Sequence, residues 1–67
     1  MITIHYVSAD KAREETRSYS SLSAARAFVA ARIGYEAHIQ DAGHAIGFDG
    51  SKIRVEGIDC RKLFVSP

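Results

Sequence analysis

A single cysteine in 67 residues means that no intrachain disulfide can brace this chain, and no two- or four-cysteine zinc site can form. That usage fits a reducing compartment. The start, Met1-Ile2-Thr3-Ile4-His5-Tyr6-Val7, lacks the basic head and continuous apolar stretch of a secretory leader. No apolar run approaches the ~20 residues that span a bilayer. A cytoplasmic protein without membrane association is therefore expected. An excess of one charge is missing too. The formal net charge is +1 with both signs interspersed, so no bulk field draws the chain to nucleic acid or lipid. Nor is there room for more than one domain: residues 1–67 make a single small unit, which buries roughly 60% of its unfolded surface and needs an efficient core.

What the chain does contain is patterning. Ile2, Ile4 and Tyr6 alternate with Thr3, His5 and Val7, the signature of a half-buried strand. The polar stretch that follows has helical propensity near Ser8 but no apolar stripe to bury. A turn near Ser8–Lys11 and an edge strand over about Glu14–Ser20 suit it better, with Arg17 discouraging sheet-to-sheet pairing. Ser21 is an N-cap candidate for a helix whose stripe is Leu22, Ala25, Val29 and Ile33, flanked by Phe28. Arg32 complements the dipole of the last turn, and Gly34 supplies a left-handed C′ residue. The outer side is nearly all alanine with Ser23, a smooth face.

After the helix, Ala37 and Ile39 alternate with Glu36, His38 and Gln40, which predicts a third strand, and Asp41-Ala42-Gly43 forms a turn of three or four residues. Asp49-Gly50 then suits a two-residue type I′ turn. That turn sets Phe48 opposite Ser51, Ile46 opposite Ile53 and His44 opposite Val55, with all six on the buried face. Lys52, Arg54 and Glu56 then face outward. Beyond Gly57, residues 58–67 read either as a short helical turn or as a last strand, with Leu63, and in the strand reading Val65, closing the core. The order predicts an α+β domain, ββαββ, in which an antiparallel sheet of about four strands carries one helix on one face. The expected sheet core is Ile2, Ile4, Tyr6, Ile39, Ile46, Phe48, Ile53 and Val55.

Candidate chemistry is sparse. His5 and His38 belong to the outward set of their strands and His44 to the inward set, but no third ligand has motif spacing and no histidine pair sits on a helix. Neither a metal nor any other cofactor is expected. Cys60 precedes Arg61 and Lys62, which would favour a thiolate on an exposed side chain, yet no base or oxyanion donor is marked beside it. The serines lack a Gly-x-Ser-x-Gly context, and the glycines fall in hairpins rather than in a phosphate-cradling loop. A non-enzymatic protein is the expectation. Lys52, Arg54, Arg61 and Lys62 are the candidate partner-binding residues. Direct nucleic-acid binding through the same basic residues is the alternative, opposed by the interleaved Glu14, Glu15, Glu36 and Glu56 and by the lack of exposed aromatic pairs for base stacking.

The helix entry Ser21-Leu22-Ser23-Ala24-Ala25, with its alanine-rich continuation between a polar edge strand and an Asp-Gly hairpin, resembles small phage-encoded anti-CRISPR proteins that inhibit type I effector complexes. The similar segments cover about a third of the chain. The resemblance implies a stoichiometric inhibitor that binds a Cas subunit and blocks access of target DNA, without catalysis. Some of those inhibitors are strongly acidic DNA mimics, a type from which this near-neutral chain departs.

Overall fold

Alternation in β1 (Ile2–Val7) organises the molecule: Ile2, Ile4 and Tyr6 are buried on one face while Thr3, His5 and Val7 look to the other. The computed structural model describes residues 1–64. After β1 come β2 (Glu14–Tyr19), α1 (Leu22–Arg32), β3 (His38–Asp41), β4 (His44–Ile46), β5 (Lys52–Glu56) and a 3₁₀ helix (Cys60–Leu63). The strands form one sheet in the order β2-β1-β5-β4-β3, and each neighbouring pair is antiparallel. The α+β class with a single helix is as expected, but the sheet has five strands rather than about four. His38–Asp41 forms a strand at the sheet's edge in addition to the second hairpin's two arms, and β5 pairs with β1 to close the two hairpins into one sheet.

Local chemistry accounts for these elements. Between β1 and β2 the chain turns through Ser8–Arg13, where Asp10 accepts from the Ser8 hydroxyl at 2.6 Å and from the Ala12 amide at 3.0 Å. Helix α1 begins where Ser21 Oγ accepts from the Ala24 amide at 3.3 Å. It ends at Gly34, whose φ of 101° is open to glycine and disfavoured for other residues.

One face of the sheet is covered by two pieces. Helix α1 lies over β1 and β2, burying Ala25, Phe28 and Val29, with Leu22 and Ile33 half-buried at its ends. The 3₁₀ helix lies against α1 and β3, and Cys60 and Leu63 complete the core there. Arg26 on α1 donates to the Lys62 carbonyl at 2.9 Å, tying the two pieces together. Of the two readings for the C-terminal segment, the helical turn is the one adopted; Val65 lies outside the described residues.

The second hairpin departs from expectation by one residue. Ile46 faces Lys52 and Ala45 faces Ile53, while His44 faces Arg54. The turn is a three-residue loop, Phe48-Asp49-Gly50, closed by Gly47 N–H donating to the Ser51 carbonyl at 2.7 Å and Gly50 N–H to the Gly47 carbonyl at 3.0 Å. Only Gly50 takes a positive φ, 94°, so Asp49 avoids the left-handed backbone that a type I′ turn demands of both central residues. Asp49 instead accepts from the Ser51 amide at 2.9 Å and the Ser51 hydroxyl at 2.6 Å, which lets Ser51 be fully buried. Slipping β4 by one residue exchanges its faces. Ala45 is therefore the core residue, Ile46 moves to the uncovered face, His44 is exposed, and Phe48 leaves the expected core for the loop.

Candidate functional site

Two surfaces compete as the working part of the molecule: the uncovered sheet face and a hollow at the end where β3 meets the second hairpin. Strand register puts Thr3, His5 and Val7 of β1 on the uncovered face, beside Lys52, Arg54 and Glu56 of β5. β4 adds His44 and Ile46, and β3 adds His38. The central cross-strand row is Thr16, His5, Arg54, His44. Most of it is internally tied. His5 shares hydrogen bonds with Thr16 Oγ1 at 3.1 Å and Glu56 Oε2 at 3.0 Å, and His44 Nδ1 with Asp41 Oδ1 at 2.8 Å. The bond from His5, then the charge of Arg54, holds the Glu56 carboxyl below its ordinary range. His44, then the Gly43 amide, does the same for Asp41.

The three histidines do not assemble. Two strands, β5 and β4, separate His5 from β3 and His38, and β5 alone separates His5 from His44. Among the described residues no group of three or more histidine, cysteine, aspartate or glutamate side chains is arranged to hold a metal ion. Cys60 is fully buried, and its thiol donates to the Asp41 carbonyl at 3.2 Å and reaches the His44 carbonyl at 3.7 Å. Burial, followed by the Asp59 charge, pushes the thiol above its ordinary pKa, against the thiolate that neighbouring Arg61 and Lys62 favour on an exposed side chain.

All four candidate basic residues are exposed, but the structure does not gather them. Lys52 and Arg54 stand side by side on the uncovered face of β5. Arg61 and Lys62 belong to the 3₁₀ helix that covers the opposite face. Arg61 is held by Asp59 at 2.8 Å, whereas Arg54 comes no nearer to Glu56 than 3.9 Å.

The hollow is of a different character. Ile33 and Tyr35 at the end of α1, Ala37 and Ile39 of the β3 segment, Phe48 of the loop and Phe64 wall two adjoining depressions of about 570 and 400 Å³. Phe48 is 65% exposed and Tyr35 49% exposed, although both are large and hydrophobic. Phe48 is not loose: its ring meets His38 edge-on at 4.6 Å between centroids. Glu36 and Arg61 add charge at the rim, so one of the four basic candidates borders this hollow. Aromatic side chains fixed at the surface beside an arginine have the composition of interface cores rather than of ordinary solvated surface.

Phe48 and Tyr35 carry a sequence signal that periodicity overlooks. Each directly follows a glycine, Tyr35 after Gly34 and Phe48 after Gly47, where no strand or helix claims the side chain. No helix among the described residues is long and apolar enough to cross a membrane. Comparison with protein-family models, with curated proteins and with solved structures returns no match.

Proposed function

We propose that this chain is a non-catalytic protein-binding module that grips its partner through the aromatic hollow around Phe48. The observation that carries the reading is the 65% exposure of Phe48 beside Tyr35, Ile39 and Phe64. Covering the part of the Phe48 ring that still faces water recovers about 1–2 kcal/mol. An interface of ordinary size takes about 800 Å² from each side, roughly a fifth of the 4088 Å² exposed by this chain. The resemblance at Ser21–Ala25 makes a Cas subunit of a type I effector complex the first partner to test, with the chain acting as a stoichiometric inhibitor of target-DNA access. Lys52, Arg54 and Lys62 then serve association as steering charges, and Arg61 contacts the partner at the rim of the hollow.

Affinity capture from host extract, with and without nuclease, is the deciding experiment. The expected result is a nuclease-resistant protein partner that is lost with Phe48→Ala and retained, with slower association, in the double variant Lys52→Glu, Arg54→Glu. The alternative, nucleic-acid binding, is favoured by the placement of Lys52 and Arg54 on one open face, where Arg54 makes only a 3.9 Å contact with Glu56. Direct, steeply salt-dependent binding to naked DNA or RNA that the double variant abolishes would establish it instead.

A further inference from the structure

Among the described residues the sheet ends in two edge strands, β2 and β3, and they differ. β2 is defended: Glu14, Glu15 and Arg17 are charged, and Arg17 lies opposite Ile4 on the covered side, a device that discourages strand addition. β3 has no lysine or arginine. Among the described residues, the backbone of 38–40 makes no hydrogen bond apart from those to β4. Ile39 is only half-buried, and the hollow of Phe48, Tyr35 and Phe64 opens directly beside it.

Resting on the protein-binding reading, we propose that the partner enters as an extended strand added to the free edge of β3, with apolar residues at alternate positions in the hollow and basic residues at its ends. Strand addition draws affinity from the backbone ladder and selectivity from pockets that receive every second side chain, and β3 with its adjoining hollow offers both. Charge sets the ends of the partner strand. Arg61 stands at the rim of the hollow, and Glu36 and Asp41 bracket the edge with no lysine or arginine between them in sequence. The same charges disfavour a second copy of this chain: antiparallel self-pairing about Ile39 brings Asp41 opposite Ala37 of the other copy, next to that copy's Glu36.

The test uses the full chain and a synthetic peptide, Lys-Val-Thr-Leu-Thr-Val-Lys, followed by NMR titration. Two further peptides carry N-methyl groups on alternate amides, one on the even-numbered and one on the odd-numbered positions. The expected result is resonance shifts at 36–41 and Phe48, with about tenfold or greater loss of affinity for one methylated peptide and near-full affinity for the other, because only one set of amides faces β3. Phe48→Ala, which lies in a loop and leaves the core intact, is expected to weaken the unmodified peptide by about tenfold. Equal affinity of both methylated peptides, shifts confined to β2 or the uncovered face, or no shift at millimolar peptide overturns the inference. So does concentration-dependent dimerisation that Ile39→Lys abolishes, which assigns the edge to a second copy. If host capture yields a nuclease-resistant protein whose complex leaves the amides of 38–40 exchanging as in the free chain, protein binding stands and strand addition falls. Capture of nucleic acid alone, sensitive to nuclease, overturns the protein-binding reading itself.

Discussion

Arg32 grips Glu15 with both arms of its guanidinium, Nε donating to Oε2 at 2.7 Å and a terminal nitrogen to Oε1 at 2.9 Å. The same guanidinium lies 3.9 Å from the centroid of the Phe28 ring. One side chain in the last turn of α1 thereby joins the helix to the edge strand β2 and covers the flank of a core aromatic. Bidentate geometry over an aromatic face is where arginine cannot be exchanged for lysine.

Arg32→Lys is accordingly expected to lower the urea midpoint nearly as much as Arg32→Ala. Arg17→Ala, which removes a 3.5 Å contact of a half-exposed side chain with Glu15 and an exposed hydrogen bond to the adjacent Thr16 carbonyl at 3.0 Å, should leave it almost unchanged. Equal effects of Arg32→Ala and Arg17→Ala would show that the helix is not anchored through this pair.

Acid should weaken the fold from a definite side. The hydrogen bond from Arg32 holds Glu15 below its ordinary pKa, and bonds from Ser51 do so for Asp49, as His44 and His5 do for Asp41 and Glu56. Folded values below unfolded ones mean that the unfolded chain takes up protons first as pH falls. Stability is therefore complete above the ordinary carboxylate range, roughly pH 4, and declines as pH drops through it toward the lowered folded values. Denaturant midpoints measured between neutrality and strong acid check this, and Glu15→Gln should flatten the decline.

Core substitutions separate the observed register from its neighbour. Phe28→Ala is expected to cost about 3–5 kcal/mol and Ile4→Ala about 2–5 kcal/mol, since both side chains are buried between the sheet and its cover. Ile46→Ala, on the uncovered face, should cost about 1 kcal/mol or less. A loss at Ile46 as large as that at Phe28 would restore the register in which Ile46 faces Ile53.

Much of this architecture is legible in the residues because its causes are local. The alternation of Ile2, Ile4 and Tyr6, the Ser21 cap, the stripe from Ala25 to Val29 and the glycine at 34 each act within a few positions, and each element forms where they place it. The second hairpin is harder because Asp-Gly serves two loops that differ by one residue, and hydrophobic alternation cannot choose between them when the true core residue is as small as Ala45. The deciding contact, Asp49 with the buried Ser51, forms only in the three-residue loop. The basic candidates were readable as surface residues, but their division between two faces depends on the path of the 3₁₀ helix. The exposure of Phe48 follows from the same one-residue slip and so was hidden with it.

The loop itself is open to test. A methyl group at Gly47 would stand 2.7 Å from Ser51 Oγ and 2.9 Å from Asp49 Oδ1, so Gly47→Ala must disturb the buried pair. The expected cost is about 1–3 kcal/mol. Gly50→Ala forces a side chain into a φ of 94° and should cost about 1–2 kcal/mol. Thermal melts of both variants measure this; two silent substitutions would argue for a different turn.

Cys60 closes the account of how the covered face stays shut. Its thiol is sealed between the carbonyls of Asp41 and His44, and Cys60 N–H donates to the Ala42 carbonyl at 2.7 Å. A thiol reagent can therefore reach this sulfur only when the C-terminal cover lifts from the turn after β3, so the rate of labelling is a stopwatch for that local opening. The chain carries one cysteine, and no second thiol competes for the label. Anything that clamps the neighbouring edge should slow the stopwatch, and so the molecule contains its own gauge of whether the end of the sheet beside Phe48 has been occupied.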